Sequence, residues 1–277
     1  MKLLNTIKYL PLVALTAFSF TLAGCGDDKR ADDNTTIVKV GVCGDYNAHW
    51  DTVNKLLKDK HIQVQLVKFS DYATPNRALS DKEIDLNAFQ HKAYLNNDIA
   101  RNGYKLTPLC ETFIAPIRLY NNKNKISNVA DIKDGSIIAI PSDLTNGGRA
   151  LKLLEAANLI SVDPSKGFLP TKADITEYKV KIEIREAESG VLNNILPDID
   201  AAAINGGNAF SAGLKPSDAI FSETPKAGED NPYINVLVAR AEDKDNEVYQ
   251  TVVKTFLTDE VKETIIKAYD GGYIPVW

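Results

Sequence analysis

Hydrophobic and polar positions change period repeatedly along the chain, and the changes lay out an alternating series of strands and helices. Ile37-Val38-Lys39-Val40-Gly41-Val42-Cys43-Gly44 is a β-branched run closed by glycine, the pattern of a buried strand. Residues 50–59 place Trp50, Val53, Leu56 and Leu57 at helical spacing, and residues 62–69 alternate as a strand does. Pro75 fits the first turn of a short helix over 74–80. Residues 84–89 read as a strand, 91–102 as a helix and 104–112 as a strand, which predicts βαβ units and a mostly parallel sheet.

The pattern restarts near residues 113–120. A helix is expected over 129–135, stopped by Gly135, then a buried strand over 136–140 and a helix over 146–157. Residues 182–185 and 201–205 add strands, with Gly206 and Gly207 directly after the second. A strand at 233–239 and helices over 246–257 and 259–268 finish the chain, and Tyr273 and Trp277 are expected to pack back onto a core. Two βα series followed by a late strand and two helices suit two α/β lobes. Residues 37–116 and 233–277 would form the first lobe and 117–232 the second, with two crossover segments lining the floor of a cleft.

The first residues concern address rather than fold. Lys2 and Lys8, an apolar run over 10–20 and small residues leading to Leu22-Ala23-Gly24-Cys25 have the layout of a secretory signal peptide over 1–24, too short for a membrane span. LAGC resembles the bacterial lipobox, whose cysteine is lipidated; an incidental cysteine is the competing reading. Residues 25–36 are polar and read as a lipidated Cys25 with a flexible tether.

A composition of 44% hydrophobic and 25% charged residues with a net charge of −5 is that of an ordinary globular domain. Mild acidity without Lys/Arg blocks argues against nucleic acid as a partner. Cys43 and Cys110 lie in expected strands, and whether they pair stays open. Without CxxC spacing, and with three scattered histidines, neither a metal nor another cofactor is expected.

Candidate chemistry gathers in a few places. Arg149 is expected in the first turn of a helix, a poor place for a cation unless it serves as a ligand group, although a solvent-facing Arg fits too. Asn205 ends a strand before two glycines, and Asn235 sits in a β-branched strand, so each amide needs partners, structural or ligand. Hydrolase and nucleotide-binding motifs are missing: there is no GxSxG, HExxH, Walker loop or GxGxxG. His91, six residues from Asp85, is a weak candidate base.

Several phrases together resemble the methionine-binding lipoproteins (NlpA/MetQ type). They are Phe69-Ser70-Asp71-Tyr72-Ala73-Thr74-Pro75-Asn76-Arg77-Ala78-Leu79, Asp85-Leu86-Asn87-Ala88-Phe89-Gln90-His91-Lys92-Ala93-Tyr94-Leu95, Pro141-Ser142-Asp143-Leu144-Thr145-Asn146-Gly147-Gly148-Arg149, Ile204-Asn205, and Pro232-Tyr233-Ile234-Asn235. The resemblance implies an α/β, two-lobe periplasmic-binding-protein fold of type II, each lobe a mostly parallel sheet flanked by helices, closing on its ligand by a hinge motion. It implies a lipid-anchored monomer on the outer side of the cell membrane, capturing methionine for an ABC permease and its ATPase, and not an enzyme. Tyr72, Phe89 and His91 would wall the methionine side chain, Arg149 would clamp its carboxylate, and Asn205 and Asn235 would fix its amino and carboxylate groups. Ser142, Ala115, Arg118 and residues 44–49 depart from the family pattern. The departures leave room for D-methionine, a methionine derivative, a short methionine peptide or another amino acid. An adhesin with a degraded cleft and an enzyme using Asp85 and His91 are the rival readings.

Overall fold

The computed structural model describes residues 35–225 and 231–277; the expected signal peptide, and Cys25 with its tether up to residue 34, lie outside the described residues. Val38, Val40 and Val42 face inward from β1 (Thr36–Cys43), and α1 (His49–Leu57) covers them with Trp50, Val53 and Leu57, one apolar stripe of a helix. β2 (Ile62–Phe69) runs parallel to β1 along its whole length. There follow α2 (Thr74–Ser80), β3 (Leu86–Asn87), α3 (Lys92–Asn102) and β4 (Leu106–Ile114). The chain then crosses into a second sheet. This one holds β5 (Arg118–Asn121), β6 (Ile137–Pro141), α4 (Leu144–Ala156), the hairpin of β7 (Ile160–Val162) and β8 (Ile175–Tyr178), and β9 (Glu183–Ala187). It continues through α5 (Leu192–Ile195), β10 (Ala201–Ile204), α6 (Gly206–Ser211) and β11 (Ala219–Ser222). β12 (Ile234–Arg240) returns to the first sheet, which α7 (Glu247–Phe256), α8 (Asp259–Ala268) and β13 (Ile274–Pro275) complete.

The strand orders are β13-β4-β12-β3-β1-β2 and β11-β5-β10-β6-β9. Each sheet repeats one plan: three parallel strands (β2-β1-β3, β9-β6-β10), then an antiparallel strand that has just arrived from the other sheet. The sheets are therefore mixed, parallel through three strands and antiparallel beyond, because each crossing strand enters from the cleft side. Helices cover both faces. α1, α7 and α8 pack on one face of the first sheet, while Ala78, Leu79 and Leu95 of α2 and α3 pack with Val236 and Val238 on the other. In the second sheet Leu151 and Leu154 of α4 meet Ile138 and Ile140, and Leu192 lies on the far side with Ala202 and Ile204. Tyr273 is buried in the first core and Trp277 packs against it, as expected.

Two expectations are corrected. Residues 129–135 form only a 3-10 turn, Val129–Asp131, because Asn128 and Asp131 cap each other and Ile132 is already extended. The strand over 84–89 shrinks to Leu86–Asn87, since the chain turns at once into the polar segment before α3. The β7–β8 hairpin and the edge strands β11 and β13 were not expected; β7 is only three residues long, and β8, β11 and β13 are half-buried or exposed, so they carry little periodic signal. Among the described residues no helix is long and apolar enough to cross a membrane.

Candidate functional site

Parallel strands end on one side of their sheet, where the following loops are free to build a site. A cavity lies at those ends, lined by Cys43 at the end of β1, Ala88 to His91 after β3, Asn146 and Arg149 after β6, and Asn205 to Gly207 after β10. The two crossings add Ala115 and Asn235. The cavity encloses about 60 Å³; with ~10–15 Å³ needed for one water on this scale, it suits a small metabolite. All six expected residues, Tyr72, Phe89, His91, Arg149, Asn205 and Asn235, line it.

Buried amides fix the first rim. Asn76 Nδ2 donates to Gln90 Oε1 and Asp98 Oδ2, both at 2.8 Å, while its Oδ1 accepts from Asn87 Nδ2 at 2.8 Å and Gln90 Nε2 at 2.6 Å. A satisfied buried network of this kind pins the backbone between β3 and α3, so Phe89 and His91 both reach the cavity. Phe89, Tyr72 and Tyr94 form an aromatic box, with ring centroids 5.8–6.0 Å apart.

His91 caps α3: its Nδ1 accepts the Tyr94 N–H at 3.1 Å. The ring proton therefore sits on Nε2, which donates to Asn146 Oδ1 at 3.2 Å. Burial, and next the charge of Arg149, lower the His91 pKa to about 3, so the ring is neutral. Asp85 is not its partner. That carboxylate accepts the Lys39 N–H and the Tyr249 O–H instead, which removes the Asp85–His91 pair as acid–base machinery.

The second rim is α4. The helix begins at Leu144, so Arg149 lies in its second turn and not the first. The helix N-terminus is no open anion site either, because Asp143 caps it by accepting the Asn146 N–H at 2.9 Å. Asn146 Nδ2 donates to the same carboxylate at 3.0 and 3.1 Å. That turns Asn146 Oδ1 toward His91 and Asn205, whose Nδ2 donates to it at 2.7 Å. One amide thus joins the ends of β3, β6 and β10 across the cleft. Gly148 is required here, since a Cβ on it would sit 2.9 Å from the Phe168 carbonyl oxygen.

Arg149 is 2% exposed and stacks over Tyr233, its guanidinium carbon 4.3 Å from the ring centre. Its planar fork is taken by the chain itself. Nε donates to both oxygens of Glu223 at 3.0 and 3.1 Å, and Nη2 donates to Glu223 and, at 3.1 Å, to the Ala115 carbonyl. Among the described residues the bonds of Arg149 all come from Nε and Nη2, which leaves Nη1 without an acceptor, and Asn205 Oδ1 is buried without a donor. The cavity thus offers one cationic donor and one amide acceptor beside an aromatic box.

Asn146, Glu223 and Tyr233 were missed from the sequence. Asn146 and Tyr233 lay inside quoted motifs, but their partners are tertiary; Glu223 follows an edge strand with no local pattern. Arg118 is buried outside the cavity, donating to the carbonyls of Pro116 and Gly272, and ties the first crossing to the C-terminal segment. Cys43 and Cys110 are free thiols, and no group of metal-binding side chains occurs among the described residues.

The model of the NlpA lipoprotein family matches residues 38–277. A probable D-methionine-binding lipoprotein MetQ of Vibrio cholerae is 40% identical, over 98% of this chain and 99% of that protein. The substrate-binding protein of a methionine transporter from Streptococcus pneumoniae superposes with a TM-score of 0.82 at 34% identity, covering 87% of this chain and 96% of that one. A nutrient-binding protein from Burkholderia cenocepacia, solved bound to methionine, gives a TM-score of 0.80 at 34% identity, covering 87% of this chain and 100% of that one.

Proposed function

The chain belongs to the NlpA lipoprotein family, and on that footing we propose that it is the lipid-anchored solute-binding component of an ABC importer, capturing methionine and passing it to a membrane permease and its ATPase. Residues 37–116 with 233–277, and 117–232, act as the two lobes that close on the ligand, and Cys25 carries the lipid.

One observation carries the ligand reading: Asn205 Oδ1 is buried without a donor and Arg149 Nη1 is the one guanidinium nitrogen without an acceptor among the described residues, and both residues line a cavity that Tyr72 and Phe89 also line. An α-carboxylate satisfies the donor and an α-ammonium the acceptor, with Asn235 completing the polar end; leaving the buried Asn205 oxygen unpaired is costly. A thioether packs well against the faces and edges of Tyr72, Phe89 and Tyr94. The neutral His91 is a wall of the site and spends its proton on Asn146.

Calorimetric titration tests this. Methionine binds one per chain, and norleucine, which has the shape without the sulfur, binds about two- to tenfold more weakly, the range of a sulfur–aromatic contact of ~0.3–1.5 kcal/mol. The D and L forms are titrated separately, since the Vibrio cholerae relative is named for D-methionine. Equal affinity for unrelated amino acids would remove methionine from the reading.

A further inference from the structure

We propose that Glu223 is the positioning residue of the carboxylate subsite: it holds the Nε–Nη2 edge of Arg149 so that Nη1 is the group left for the ligand. The inference rests on the amino-acid-binding reading above. Glu223 does not line the cavity; it stands behind Arg149, just past β11. Its carboxylate receives three donor groups, Arg149 Nε, Arg149 Nη2 and the Ile117 N–H at 3.2 Å, and its own N–H donates to the Ile117 carbonyl at 3.1 Å. Ile117 belongs to the crossing between β4 and β5, so one side chain fixes both the guanidinium and the strand that joins the two sheets.

Two consequences follow for recognition. With the fork filled from within, a ligand carboxylate cannot take the bidentate Nε–Nη2 geometry and meets Nη1 end-on. The buried guanidinium also has its counter-ion at all times, so the cleft can stand empty without an unpaired buried charge. Glutamine at 223 would present one acceptor to three donors and turn an NH₂ group toward Arg149, releasing the guanidinium from its aim.

The test is the ratio of affinities for methionine and methioninamide, which differs in having no carboxylate, measured by calorimetry on the wild-type chain and on Glu223→Gln. Wild-type protein prefers methionine at least tenfold. In the variant that ratio falls at least fivefold, while methioninamide binding changes less than twofold. Glu223→Asp, which keeps the charge but withdraws it by one methylene, lowers the ratio in the same direction and serves if the Gln variant does not fold. A merely structural role would weaken both ligands together; an unchanged ratio in folded variants overturns the proposal while leaving the function intact. A wild-type protein that binds neither compound overturns the amino-acid reading, and this proposal with it.

Discussion

Replacing Arg149 by alanine should separate two costs that the structure places on one side chain. In the empty protein the change removes every guanidinium contact to Glu223, the bond to the Ala115 carbonyl and the stack on Tyr233. Breaking a buried pair by removing one partner costs about 3–5 kcal/mol, and since the Glu223 side chain is 18% exposed and water can reach it, the low end, about 3 kcal/mol, applies. The bound state also loses the cation facing the ligand carboxylate, worth about 2–5 kcal/mol, or roughly 30- to 4000-fold in affinity. Urea denaturation without ligand reads the first cost and calorimetry at a temperature where the variant is folded reads the second. Methionine affinity within twofold of wild type in a folded variant would refute Arg149 as the carboxylate partner, whatever happened to stability.

Other perturbations address other parts of the site. His49 and His91 are both buried with pKa values lowered to about 3, so between about pH 6.5 and pH 3 the unfolded chain binds protons that the native state refuses. Stability therefore falls on acidification by about 1.4 kcal/mol per pH unit for each histidine, and His91→Gln should reduce the slope of the urea midpoint against pH; identical slopes would contradict a neutral His91. Asn205→Ala removes an orphaned acceptor along with one hydrogen bond, so unliganded stability should change by no more than about 1 kcal/mol while methionine affinity drops about tenfold. Gly190, after β9, faces Ser70, after β2, and a Cβ there would lie 2.6 Å from the Ser70 carbonyl oxygen. Gly190→Ala should hold the two rims apart and lower affinity about tenfold with a larger radius of gyration in solution scattering, the overpacking costing ~1–3 kcal/mol.

Periodicity made most of the architecture legible. The buried strands and amphipathic helices carry their signal locally: Val38, Val40 and Val42 alternate, and Tyr249, Val252, Val253 and Phe256 form one helical stripe. The direction of β5 and β12 was not legible, because a strand's sense within a sheet depends on where the chain crosses and not on its own residues. The site divided in the same way. Arg149 near a helix start, Asn205 at a strand end and Asn235 within a strand stood out by residue type and place, and the family resemblance added Tyr72, Phe89 and His91. Their mutual wiring did not stand out: the Asn146 amide that joins three strand ends, and the Glu223 that fills the arginine fork 74 residues away in sequence, exist only once the sheets meet. Arg149 also shows a cavity residue reached through a wrong detail, since it lies a turn deeper in its helix than its spacing suggested.

Native mass spectrometry of the chain, stripped of ligand and then titrated with methionine, tests the central claim most directly. The account predicts a single added mass of one methionine per chain, saturating at one, and lost in Arg149→Ala under conditions where that variant is folded. A chain that stays at its bare mass in excess methionine would contradict the account.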